Sequence, residues 1–84
     1  MRIKLQMPNK IENSTKVATV LKIYRKPGEL VQAGNPLVEM INPDRIFDIS
    51  SPVRGKVITV NIKEGESVLG GKTLMVIDSF EKEG

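Results

Sequence analysis

The sequence predicts a small all-β sandwich made of two similar halves, and three observations carry that prediction. Slid along itself by 37 residues, the chain repeats. Between Val20 and Leu37, seven of eighteen positions are identical: Val20/Val57, Lys26/Lys63, Gly28/Gly65, Glu29/Glu66, Val31/Val68, Gly34/Gly71 and Leu37/Leu74. Self-similarity this dense within one small domain points to a pseudo-two-fold structure. Apolar and polar residues alternate with period two, and no stretch keeps a helical period over ten residues. Gly and Pro fall between the alternating runs, at the short spacing of a sandwich or barrel.

The elements follow in order. Arg2 to Met7 sets Ile3, Leu5 and Met7 against basic or polar neighbours and reads as a strand, ended by Pro8-Asn9. Residues 12–16 are polar and read as a loop. Val17 to Tyr24 is the next strand. Lys26-Pro27-Gly28-Glu29 is a type II turn, with Pro presetting φ at the first central position and Gly supplying φ > 0 at the second. Leu30-Val31 is long enough only for a bridge strand. Gly34-Asn35 turns the chain into a strand from Pro36 to Ile41. Asn42-Pro43-Asp44-Arg45 is a strong turn signal, read as type I with Asn capping it. Arg45 to Ser50 alternates again until Ser51-Pro52. The second copy then supplies a strand from Gly55 to Ile62 and a turn over Lys63–Glu66. A bridge at Ser67-Val68, a Gly70-Gly71 turn and a strand from Thr73 to Ile77 complete it. The domain is expected to span residues 1–78, with 79–84 a frayed polar tail.

Eighty-four residues make one domain with a thin core. With no Trp, one Tyr and two Phe, that core must be Val, Ile, Leu and Met, and Met7, Met40 and Met75 read as core filler. There is no Cys and no His, which excludes disulfides, thiolate or imidazole metal sites and imidazole catalysis. Apolar runs such as Leu74-Met75-Val76-Ile77 are too short to span a bilayer, and the start has no secretory h-region. The expected location is cytoplasmic. The net charge of +3 is front-loaded in Lys4, Lys10, Lys16, Lys22, Arg25 and Lys26. These read as solvent-facing strand residues, because so few aromatics give no stacking platform for a nucleic acid. Glu29, Glu39 and Asp48 lack any paired partner pattern and read as turn or edge solvation. Gly70-Gly71 is no phosphate loop, since a strand follows it and the Lys-Ser/Thr ending is missing.

The pattern resembles the lipoyl/biotinyl-carrier family, the swinging-arm domains of 2-oxoacid dehydrogenases and biotin-dependent carboxylases. The resemblance runs from Ile3 to Ile77. It rests on Met7-Pro8, Pro27-Gly28-Glu29-x-Val31-x-x-Gly34, Leu37-Val38-Glu39, Ser51-Pro52-Val53-x-Gly55-x-Val57, Glu64-Gly65-Glu66-x-Val68 and Gly71-x-x-Leu74. It implies a barrel-sandwich hybrid of two antiparallel sheets, all-β, with a hairpin joining the repeats. In that family a Lys at the hairpin tip forms an amide with lipoic acid or biotin. The tip lies eleven residues before the Gly of Pro-x-x-Gly and seven after the Leu of the preceding strand, and both counts land on Asp44. Pro43 and Arg45, one residue either side, also lack a primary amine, and no Lys occurs between Lys26 and Lys56. Arg is never deprotonated and a carboxylate cannot form the amide. The repeat's Lys63 lies outside the hairpin. No cofactor is therefore expected.

Ser51-Pro52-Val53-Arg54-Gly55, Gly65-Glu66-x-Val68 and Thr73–Ile77 are also similar to the split lipoyl-like domain of membrane-fusion adaptors in efflux and type I secretion. Those adaptors carry a long helical hairpin where this chain has Asn-Pro-Asp-Arg. The expected role is a non-catalytic, unmodified lipoyl/biotinyl-like domain acting as a protein-binding or assembly module. Its docking candidates are Asn42, Pro43, Asp44 and Arg45 at the hairpin tip, for a protein partner in a dehydrogenase, carboxylase or transport complex. Neither nucleic acid nor membrane insertion is expected. The alternatives are a carrier component of a 2-oxoacid dehydrogenase or biotin-dependent enzyme whose Lys was lost or replaced, and the lipoyl-like part of an export adaptor.

Overall fold

Alternating side chains build two layers, each a four-stranded antiparallel sheet. The computed structural model describes residues 1–8 and 17–80. The loop expected over 12–16, the cations Lys10 and Lys16, and residues 81–84 lie outside the described residues. The strands are β1 (Arg2–Gln6), β2 (Val17–Ile23), β3 (Leu30–Val31), β4 (Pro36–Ile41), β5 (Ile46–Ser50), β6 (Gly55–Val60), β7 (Ser67–Leu69) and β8 (Thr73–Ser79). One sheet runs β1-β8-β6-β3 and the other β5-β4-β2-β7. The expected strands are therefore present, and so is the barrel-sandwich form.

The 37-residue repeat becomes an exchange between sheets. β2, β3 and β4 map onto β6, β7 and β8, so each repeat gives two strands to one sheet and one to the other. Backbone hydrogen bonds follow the same operation. Gly28 donates to Val57 and Val57 to Glu29, while Gly65 donates to Val20 and Val20 to Glu66. Gly34 donates to Ser51 as Gly71 donates to Met7, and Tyr24 to Leu37 as Asn61 to Leu74. The turns also match. Glu29 N–H donates to the Lys26 carbonyl and Glu66 N–H to that of Lys63, each at 3.1 Å. Gly28 and Gly65, at φ of 92° and 89°, hold the second central position that type II turns require. The repeated Glu has a local purpose: Glu29 Oε1 accepts from Lys26 N–H, and Glu66 Oε1 from Lys63 N–H at 3.0 Å.

The outer strands obey the exchange at a different offset. β5 pairs with β4 as β1 pairs with β8, and Ser51 stands where Met7 stands. Asn42 N–H donates to the Arg45 carbonyl at 3.0 Å; in the equivalent place Ser79 N–H donates to the Met1 carbonyl at 2.7 Å.

Between the sheets lie Leu5, Met7, Ala18, Val20, Val31, Leu37, Val38, Met40, Ile49, Val57, Ile62, Val68, Leu74, Met75 and Ile77. Leu37 and Leu74, identical in the repeat, are both fully buried. Each such side chain contributes about 2 kcal/mol relative to exposure. The three interior methionines are core, as the composition requires.

One expectation is corrected. The tail does not begin at 79. Ser79 pairs with Gly55 inside β8 and is buried, and Phe80 N–H donates to the Arg54 carbonyl at 3.0 Å. At residues 42–45 the expected Asn cap is present, with Asn42 Oδ1 accepting from the turn. The Arg45 N–H, which would bond the Asn42 carbonyl, goes to the Asn42 side chain instead.

Candidate functional site

The hairpin between β4 and β5 joins the two repeats, and its tip is built around one buried amide. The paired ends are Ile41 and Ile46. Asn42 Oδ1 accepts from Asp44 N–H at 2.8 Å and from Arg45 N–H at 2.9 Å. An Asn side chain can thus replace a backbone carbonyl in a tight turn, and Pro43 presets the intervening φ. Reversing the amide would forfeit both bonds, so its orientation is fixed. The cost is that Nδ2 is buried without a hydrogen-bond partner.

Of the four sequence-predicted docking residues, Asn42 is an internal brace, only 5% exposed. Pro43, Asp44 and Arg45 stand exposed at the tip. The Arg45 guanidinium lies over the Phe47 ring, 5.5 Å from its centroid, within the range of a cation–π contact. The tip therefore offers a carboxylate and a cation on a backbone held by three hydrogen bonds.

Sequence reasoning missed the apolar flank of this tip. Thr19, Ile41 and Ile46 form one cross-strand row, and Ile46 is 59% exposed. Val17, Ala18, Thr19, Ile41, Asn42 and Pro43 line an open, mostly apolar groove of about 470 Å³ beside it. Period-two alternation within each strand, with Met40 and Ile49 buried, would have put Ile41 and Ile46 on the outer face.

The other candidates have structural places. Lys22, Glu39 and Asp48 form the next row of the same sheet face. Beside it, the half-buried Tyr24 hydroxyl is held above its usual pKa, by partial burial first and then by the Glu39 and Asp48 carboxylates. Gly71 turns the chain into β8, with Lys72 N–H donating to the Leu69 carbonyl. Among the described residues, no group of three His, Cys, Asp or Glu side chains converges on a possible metal position, and no helix is long and apolar enough to cross a membrane.

Two four-stranded sheets exchanged by an internal pseudo-two-fold, with the repeats joined through an exposed hairpin tip, define a lipoyl/biotinyl-like domain. The chain belongs to the family described as "CusB, barrel-sandwich hybrid domain", which matches residues 16–78. It is 32% identical over 60 residues to the dihydrolipoyllysine-residue acetyltransferase component of the pyruvate dehydrogenase complex of Bacillus subtilis, covering 71% of this chain and 14% of that protein. It is 37% identical over 68 residues to the dihydrolipoyllysine-residue succinyltransferase component of the 2-oxoglutarate dehydrogenase complex of Bartonella vinsonii subsp. berkhoffii, covering 81% and 16%. The matched stretch is thus a small part of those relatives. In fold, the lipoyl domain of the Azotobacter vinelandii 2-oxoglutarate dehydrogenase complex superimposes with a TM-score of 0.71 at 21% identity, covering 89% of this chain and 96% of that one. A single-chain, multi-domain long-chain acyl-CoA carboxylase superimposes at 0.77 and 18% identity, covering 96% of this chain and 7% of that one.

The prosthetic group implied by lipoyl and biotinyl carriers does not fit this tip. Asp44 presents a carboxylate where an amine nucleophile would be needed, and neither neighbour supplies one.

Proposed function

We propose that this domain is an unmodified protein-binding or assembly module, not an enzyme, that uses the β4–β5 hairpin tip as its docking point. One observation carries the reading: a rigid, exposed tip presents Asp44 and Arg45 where a carrier would present Lys. The turn is braced and the apolar groove beside it adds contact area. An Arg on such a support is favoured at interface hot spots, because less side-chain and loop freedom is lost on binding.

The decisive experiment is intact-mass analysis after co-expression with lipoate and biotin ligases. The wild-type chain should keep its unmodified mass. Asp44→Lys should acquire one acyl group, because it restores the amine at the same exposed apex. A modified wild-type chain would overturn the reading. In a binding assay with dehydrogenase, carboxylase and transport-complex components, Arg45→Ala should weaken capture at least about tenfold if Arg45 is a hot spot.

The export-adaptor reading is favoured by the family match over residues 16–78. Against it stands the four-residue connection at the place where such adaptors insert a helical hairpin. The carrier-component reading is favoured by the dehydrogenase relatives. A Lys at position 44 in a parent protein would restore it.

A further inference from the structure

We propose that β1 and the outer face of its sheet form a second docking surface, for an extended acidic protein segment that adds as a strand beside β1. It lies on the other sheet from the hairpin tip and does not depend on the role assigned to that tip.

β1 is an edge among the described residues. Of these it pairs only with β8, and its other side presents N–H and C=O groups with no partner among them along a five-residue strand. An edge of this kind is a template for strand addition. β3 and β7, at two and three residues, are too short to offer the same template.

Register places the charges. Arg2, Asp78, Lys56 and Leu30 form one cross-strand row, and Lys4 faces Val76 in the next outward row. Arg54 and Phe80 extend the face, with Phe80 N–H bonded to the Arg54 carbonyl and the guanidinium 5.9 Å from the ring centroid. Among the described residues, four cations thus share a face with one carboxylate. That carboxylate, Asp78, is itself half-buried and 3.5 Å from the Met1 amino group. The opposite sheet shows no such surplus, since its charged row is Lys22, Glu39 and Asp48.

Charge decides the occupant. A second β1 laid antiparallel would set Arg2 against the copy's Lys4, or Lys4 against Lys4, a like-charge pairing that destabilises a sheet. A strand with acidic residues at alternate positions would place them opposite Arg2 and Lys4. Exposed Leu30 and Phe80 on the same face offer apolar contact. Phe80 is the one aromatic side chain there and is already covered by Arg54, so the face is no stacking platform for a nucleic acid strand.

The test titrates the full chain with a short synthetic peptide alternating Glu and Val, followed by NMR. A Lys/Val peptide and phosphatidylserine-containing vesicles are run in parallel. The expected result is saturable binding that weakens with added salt, with amide shifts and slowed hydrogen exchange centred on Arg2 to Gln6. The Arg2→Glu/Lys4→Glu double variant should bind about tenfold more weakly. Both side chains are exposed, and an unchanged spectrum outside β1 confirms that the variant is folded. The proposal is overturned if the Lys/Val peptide binds equally well, if the double variant keeps full affinity, or if the shifts fall outside β1. It is also overturned if only vesicles bind. The same holds if β1 becomes protected with protein concentration alone and Asp48→Lys abolishes that protection, which would make β5 of a second copy the occupant.

Discussion

Asn42 does at the hairpin tip what a main-chain carbonyl does elsewhere, and that substitution has a measurable consequence. Asn42→Ala removes two hydrogen bonds and strands the N–H groups of Asp44 and Arg45. At about 1 kcal/mol net per bond, the loss should be about 1–2 kcal/mol in denaturant unfolding, part of it offset by deleting the orphaned Nδ2. Asp44→Ala, at an exposed site, should change stability by no more than about 0.5 kcal/mol. The sequence marks the turn, its four residues and its Asn cap, but not that the cap takes the Arg45 N–H as well as that of Asp44. Side-chain and main-chain oxygens compete for the same N–H groups, and period and composition do not rank them. Tyr24 offers a second readout, since it is the only Tyr and there is no Trp. Its pKa is raised above 10.0, so the fold favours the neutral phenol. Its contribution to stability is intact below pH 10 and is lost as pH rises through the higher folded value. An ultraviolet absorbance titration should show a midpoint above that of the unfolded chain, and Asp48→Asn should lower it.

At the scale of elements, strand limits and turn positions were readable because period-two alternation and Gly placement agree along the chain. Strand partners were not readable. The repeat reveals two similar halves, but alternation is silent about which sheet a strand joins. The correspondence of β1 with β5 was also hidden, because Pro8 and Pro52 are the only identical pair in that stretch. Two glycines separate two kinds of constraint. Gly65 has φ of +89° and open space, with nothing within 4 Å of where a Cβ would sit, so Gly65→Ala meets only backbone strain, about 1 kcal/mol. At Gly55 an added Cβ would collide with the Asp78 main-chain carbonyl across the β6–β8 ladder. Gly55→Ala should therefore cost about 3 kcal/mol. Chemical denaturation of both variants checks the order, and a larger loss at Gly65 would contradict it.

For the whole molecule, the readable part was the architecture and the position of the tip. The apolar groove and the segregation of charge onto one sheet face were not, because both depend on which strands lie side by side. The bond from Ser79 N–H to the Met1 carbonyl is the counterpart of the one that closes the β4–β5 hairpin. The molecule thus has two equivalent hairpin positions, one covalently joined and one open. The backbone should tolerate circular permutation between them. A chain opened between Pro43 and Asp44, with residue 84 linked to Met1 by a short Gly-rich connector, should retain the native far-UV spectrum and a single cooperative unfolding transition. Moving the break from one end of the pseudo-two-fold to the other leaves every cross-strand register available, so collapse to a molten state would show that the 42–45 connection is needed for more than joining the halves.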